Sequence, residues 1–292
     1  MGFLSALFGG RVLSPEEEKQ EQQQKKFDLL KYDGVKAMKT GQADYAQRCF
    51  TEALKLQDDL EVHDYLSQVL LRQGQLDGAM AELKTLAQAE PANAQIVLRM
   101  AQVAYMQEDY QAMSEAAGQA IAIDATNAHA HYLSAQAMLG QQQVVPAIAL
   151  LTKAIALQAD YADAYLLRAQ TLLAMGDTTS AQQDALWLTQ HVGDHEDVLL
   201  LSARIATAQG KADEAIAIYN KVVEVNPFQI DAFRERGSLK MAKGDKAGAE
   251  HDMQTVLELD PQALADVNGH YSAEGIEQRV RQAYSAVNPL GL

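Results

Sequence analysis

Apolar residues along the chain follow a helical period, and that helical pattern itself recurs. In YADAYLLRAQTLLAMGD, residues 161–177, Tyr165, Leu166, Leu172 and Leu173 share one helix face, and Gly176 and Asp177 mark a turn. Ala181, Ala185 and Leu188 then line a second helix. Small residues stand at Gly34, Ser67, Ala101, Ala135, Ala169, Ala203 and Gly237, one step of 33 followed by steps of 34. A second series follows twelve residues later at Ala46, Ala79, Met113, Ala147, Ala181, Ala215 and Ala249, broken only by the methionine. A third keeps the step with apolar residues at Ala53, Leu86, Ala120, Ala154, Leu188, Val222 and Val256, and Pro91, Pro227 and Pro261 close three of the repeats. A fixed period near 34 predicts a stacked array of helix pairs, helices A and B in each repeat.

Close packing explains why position repeats while identity drifts. The first small residue lies on helix A and the second on helix B, where a larger side chain would hold the two backbones apart. No convincing strand is present, and prolines and most glycines fall at the expected turns.

Spacing and residue types together resemble the tetratricopeptide repeat, which asks for a small residue at position 8, alanine at 20, a large apolar residue at 24 and proline at 32. Repeat one fits with Gly34, Gly41, Tyr45, Ala46, Phe50 and Ala53; repeat six with Ala203, Gly210, Ala215, Tyr219 and Pro227; repeat seven with Gly237, Gly244, Ala249, Met253 and Pro261. The sequence departs from the pattern in lacking the tryptophan at position 4, in Met113, and in the loop HVGDHED, where Gly193 replaces proline and a local irregularity is expected. The resemblance implies an all-α, right-handed superhelical solenoid of antiparallel helix pairs, with seven repeats over 27–263. A solenoid adds core one repeat at a time, so a single array accommodates the 292 residues.

The ends differ from the repeats. Residues 1–26 comprise an apolar segment with Phe3, Leu4, Leu7 and Phe8, then a polar lead-in helix opened by Ser14, Pro15 and Glu17 as N-cap, first-turn proline and capping-box glutamate. The apolar segment docks on the protein itself or stays disordered; the alternative is an anchor, through residues 2–9, for a peripheral assembly factor of a membrane complex. Gly2 does not complete a myristoylation signal, because Ala6 stands where serine or threonine is needed. Residues 264–292 read as a capping helix and tail, with Ile276, Val280, Ala283 and Tyr284 on one face.

Charge and chemistry narrow the function. A net charge of −15 repels phosphate backbones and disfavours nucleic acid, leaving neutral to basic partners. Phosphate-loop, nucleophile-elbow and zinc signatures are all missing, so no enzyme activity, cofactor or metal is expected. His129 and His131 splay onto different helix faces, and His191 and His195 straddle a glycine loop without a third ligand; all four read as surface or partly packed. Cys49 cannot form an internal disulfide and reads as a small packed residue in a reducing compartment. Without a spanning segment or signal peptide, a soluble, cytoplasmic chain is expected.

In the tetratricopeptide family the A helices line a concave groove through positions 2, 5, 9 and 12. Carried over, position 9 gives Gln68, Gln102, Gln136 and Gln170, flanked by Leu98, Tyr132 and Leu166 at position 5 and by Tyr105, Leu139 and Leu173 at position 12. Such a glutamine ladder can pair with the backbone of an extended peptide while Tyr and Leu take its side chains. The alternative is that the glutamines bond one another or water and the apolar residues serve interhelix packing. Glu61, Asp163, Asp197 and Asp231 at position 2 add an acidic rim, which helix dipoles alone would also favour. The family's clamp for a C-terminal carboxylate is not matched, since Lys31 and Arg99 fit but Val35, Tyr65 and Gln95 do not. The expected function is a non-catalytic scaffold that binds a protein segment in the groove.

Overall fold

A computed structural model describes residues 14–260; the apolar segment 2–9 and the proposed capping helix at 264–292 lie outside the described residues. Within them the regular structure is entirely helical. The order is α1 (Pro15–Lys39), α2 (Ala43–Leu54), α3 (Leu60–Arg72), α4 (Leu76–Ala89), α5 (Ala94–Met106), α6 (Tyr110–Ile123) and α7 (Ala128–Gly140), followed by α8 (Val144–Leu157), α9 (Ala162–Ala174), α10 (Thr178–His191), α11 (Glu196–Ala208), α12 (Ala212–Val225), α13 (Ile230–Ala242) and α14 (Lys246–Leu259). Odd-numbered helices are the A helices and even-numbered ones the B helices. The chain divides into two compact segments, one ending at Gln143 and the other beginning at Val144. Within the first, α1 packs on α2, α3 on α4 and α5 on α6; within the second, α9 packs on α10, α11 on α12 and α13 on α14.

The lead-in helix and helix A of repeat one are a single helix. Ser14 Oγ accepts from the Glu17 N–H at 3.3 Å while the Ser14 N–H donates to Glu17 Oε2 at 2.8 Å, so the capping box closes around Pro15. The boundary expected at 26/27 therefore marks a change of environment: residues before it are largely solvated, and Phe27 is buried.

Each A helix ends in the same turn. Its second residue has positive φ in all seven cases, at Gly41, Gly74, Glu108, Gln142, Gly176, Gly210 and Gly244. The following N–H reaches five residues back, as from Gln75 to the Leu70 carbonyl at 2.9 Å and from Asp177 to Leu172 at 2.9 Å. These are Schellman closures, in which the left-handed residue lets the backbone recapture a carbonyl orphaned by the helix end. The loop after α10 keeps its neighbours' length, and its irregularity is confined to Gly193, whose φ of +82° replaces the proline of other repeats.

Every member of the three periodic series is buried. A Cβ on Gly34 would come within 2.5 Å of Phe50 Cε1, so the first small position is where α1 and α2 meet. Complete burial of an aromatic such as Phe50 contributes about 1.5–3 kcal/mol. Met113 fits where alanine was expected because its cluster is otherwise rich in alanines, among them Ala101, Ala117 and Ala120, and their small volumes leave room for the thioether. Cys49 is buried as a packed residue.

Candidate partner-binding face

The A helices adjoin along the array, α1 with α3 and α5 with α7 in the first segment and α9 with α11 in the second. Their outward residues form the candidate face. In the first segment, Gln68 Nε2 donates to Asp64 Oδ2 at 2.8 Å, Gln102 Nε2 meets His129 Nε2 at 3.3 Å, and Gln136 Nε2 donates to the Tyr132 hydroxyl at 3.2 Å. Among the described residues these three glutamines therefore bond other side chains, Gln102 across to the next A helix, and do not bond one another. Tyr105 is exposed, and the rings of His129 and Tyr132 stack with centroids 6.2 Å apart. Leu98, at 4% exposure, lies inside the core cluster of α5–α7, so its side chain is committed to packing. In the second segment, Leu166 is half-buried against the α9–α11 core and Gln170 is exposed.

The two cations that fit a carboxylate clamp are already paired. Lys31 Nζ lies 3.1 Å from Asp59 Oδ1 and 2.7 Å from Glu61 Oε2. Burial alone would lower the lysine's pKa, but these two carboxylates outweigh it and hold it above the ordinary value. Asp59 is pushed up by burial and drawn further down by the Val62 N–H and Lys31. Glu61 falls below its ordinary value through Lys31 and the Tyr65 hydroxyl, which donates to it at 2.5 Å. Arg99 pairs with Asp64 and donates to Ser67 Oγ at 2.5 Å.

Buried charge in the second segment was not anticipated from the sequence. Arg168 grips Asp184 with Nε–Oδ2 at 2.9 Å and Nη2–Oδ1 at 2.7 Å, and Arg236 grips Asp252 in the same way two repeats later. The signal available was a charged pair at positions 7 and 23 of repeats five and seven, spaced sixteen residues apart each time. Arg204, which follows Gln170 at position 9, donates to Glu235 at 2.7 and 3.0 Å and lies 3.4 Å from Asp231. Tyr219 donates to the same Glu235 at 2.5 Å, and burial, then the Glu235 charge, push its phenol far above the usual range. Around Gln170, Leu173, Ala174, Asp197, Leu200, Leu201 and Arg204, α9 and α11 border a partly open cavity of about 140 Å³. These residues are positions 9, 12 and 13 of repeat five and 2, 5, 6 and 9 of repeat six.

The histidines do not converge. His129 is half-buried, whereas His131 is buried rather than superficial, its Nε2 3.1 Å from the Ala125 carbonyl. His191 stacks on Trp187 with centroids 4.2 Å apart, and His195 Nδ1 lies 3.7 Å from Asp197. Among the described residues no group of three or more His, Cys, Asp or Glu could hold a metal ion, and no helix is long and apolar enough to cross a membrane.

Comparison with known proteins agrees with this geometry. A family profile described as tetratricopeptide repeat matches residues 34–94, and one for subunit 3 of the anaphase-promoting complex, or cyclosome, matches residues 140–222. No curated protein matches the sequence. Among solved structures, a tetratricopeptide repeat protein from Parabacteroides merdae aligns with TM-score 0.67 at 15% identity, covering 89% of this chain and 99% of that one. PilW, a type IV pilus biogenesis factor, aligns with TM-score 0.63 at 17% identity over 74% of this chain and 96% of its own. YrrB, a tetratricopeptide-repeat protein with an unusual peptide-binding site, aligns with TM-score 0.51 at 15% identity over 61% of this chain and 92% of its own. At these identities the likeness is one of fold.

Proposed function

We propose that the chain, which shares the fold of tetratricopeptide-repeat proteins and matches that repeat's profile over residues 34–94, is a protein–protein interaction scaffold that holds an extended, neutral to basic protein segment along its A-helix faces, without catalysis and in the cytoplasm. The contact set is Gln68, Gln102, Tyr105, Tyr132 and Gln136 in the first segment and Leu166 and Gln170 in the second, with Leu98 supporting from the core. One observation carries the reading. The face spends its fitting cations internally, Lys31 on Asp59 and Glu61 and Arg99 on Asp64, while the Tyr105 ring and the Gln102 and Gln170 side chains are exposed. Amides both donate and accept, as a peptide backbone requires, and aromatic side chains are frequent anchors at interfaces. The peptide-binding site of YrrB, on the same fold, is consistent with this use.

Affinity capture from the native cell tests the reading, with wild-type protein beside a Tyr132→Ala/Gln136→Ala variant of unchanged melting temperature. A partner retained by the first and lost by the second is the expected result. A partner retained equally by both would remove the A-helix face from the account.

A further inference from the structure

Polar side chains bridge neighbouring A helices at one junction after another. Lys31 on α1 reaches Asp59 and Glu61 at the start of α3, Arg99 on α5 reaches Asp64 and Ser67 on α3, Gln102 on α5 meets His129 on α7, and Arg204 on α11 reaches Asp231 and Glu235 on α13. Between α9 and α11, among the described residues, no side-chain hydrogen bond or ion pair makes that link, and a cavity of about 140 Å³ lies between them.

The cavity's chemistry is specific. Leu173, Leu200 and Leu201 supply its apolar wall, and none is more than 9% exposed. Its volume approaches the roughly 150 Å³ of an apolar protein cavity that admits benzene, so an isobutyl or phenyl group is of matching size. Charge at the opening is negative. Arg204 is neutralised by Glu235 and Asp231, whereas the Asp197 side chain is 56% exposed and, among the described residues, its ion-pair partner is His195, at 3.7 Å, which is charged only when protonated. Gln170 adds an exposed amide on the α9 side.

We propose that the α9–α11 junction is a specificity pocket that takes a leucine- to phenylalanine-sized side chain of the bound segment, with an adjacent lysine or arginine paired to Asp197. This rests on the A-helix face being the binding face, and it names the residue pair that the face selects.

Acetylated, amidated nonapeptide pools test it on the full chain, with central Leu-Lys, Leu-Glu or Gly-Lys and all other positions randomised. The Leu-Lys pool should bind at least about tenfold better than either other pool, in line with a well-buried anchor and a charge match. Ala174→Met introduces a good helix former at an exposed residue lining the cavity, and should abolish discrimination between leucine and glycine. Asp197→Asn, also exposed, should abolish discrimination between lysine and glutamate while the leucine preference persists. Circular dichroism melts of both variants verify the fold, and if Ala174→Met is destabilised, Asp197→Asn still decides the charge claim. Equal binding of the three pools, lost in Tyr132→Ala, would overturn the pocket and leave the binding face standing. No binding of any pool above a control helical protein would count against both.

Discussion

Arg236 and Asp252 face each other across α13 and α14 with Nε–Oδ2 at 3.0 Å and Nη2–Oδ1 at 2.6 Å, both side chains buried. Lys240 adds a second cation 2.9 Å from the same carboxylate. Removing the anion strands two charges in a poorly solvated site, whereas removing a buried pair together is far less costly. Asp252→Ala should therefore destabilise the second segment by about 3–5 kcal/mol, and Arg236→Met/Lys240→Met/Asp252→Leu, which removes the anion with both of its cations, by clearly less. Urea unfolding followed by circular dichroism measures both, and equal losses would mean that the pair is not electrostatically coupled.

Two turns contain removable strain. Glu108 at φ +56° and Gln142 at φ +61° occupy the left-handed position that glycine fills in the five other A-to-B turns. Side chains there carry a cost of roughly 1–2 kcal/mol, offset in part by the extra freedom that glycine has in the unfolded chain. Glu108→Gly and Gln142→Gly should each raise the melting temperature, by about 0.5–1 kcal/mol of added stability. A lower melting temperature in either variant would mean that its side chain contributes more than its backbone costs.

His63 should make the first segment sensitive to pH. Its Nε2 lies 2.8 Å from Asp58 Oδ1 and its Nδ1 contacts Glu82, so both ring nitrogens face carboxylates. Burial alone would lower its pKa, but hydrogen bonds to Glu82 and Asp58 outweigh burial and raise it above 6.5. A raised folded-state pKa contributes stability that is fully present below the unfolded value, near 6.5, and is lost as pH climbs through the folded one. Between about pH 6 and pH 9 the wild type should lose melting temperature relative to His63→Gln. Parallel curves for the two proteins would show that the imidazolium contributes nothing.

The fold was legible because close packing leaves a periodic imprint. Ala181 and Ala215 are buried where a step of 34 placed them, and the capping box at Ser14 and Glu17 formed as its spacing requires. Less was legible wherever a residue's partner is chosen in three dimensions. Leu98 sits at a groove position by register yet points into the core, and His131 is buried although its neighbour His129 is partly solvated. Lys31 and Arg99 matched two places of a clamp by spacing, but their pairing with Asp59, Glu61 and Asp64 emerges only when successive A helices are set side by side. The α9–α11 cavity is assembled from residues of two successive repeats, which no local motif encodes.

The most direct measurement is the affinity of the captured partner segment for the wild type, for Tyr132→Ala/Gln136→Ala, and for Lys31→Gln/Arg99→Gln, by isothermal titration at low and high salt. An anchor with a directed amide contributes about 1–2 kcal/mol or more at a hot spot, so the first double variant should weaken binding at least about tenfold. The second should bind nearly as the wild type does, with a shallow salt dependence, because its cations already serve internal carboxylates. Loss of binding with Lys31 and Arg99, a steep salt dependence and indifference to Tyr132 and Gln136 would instead identify an acidic ligand and contradict the account.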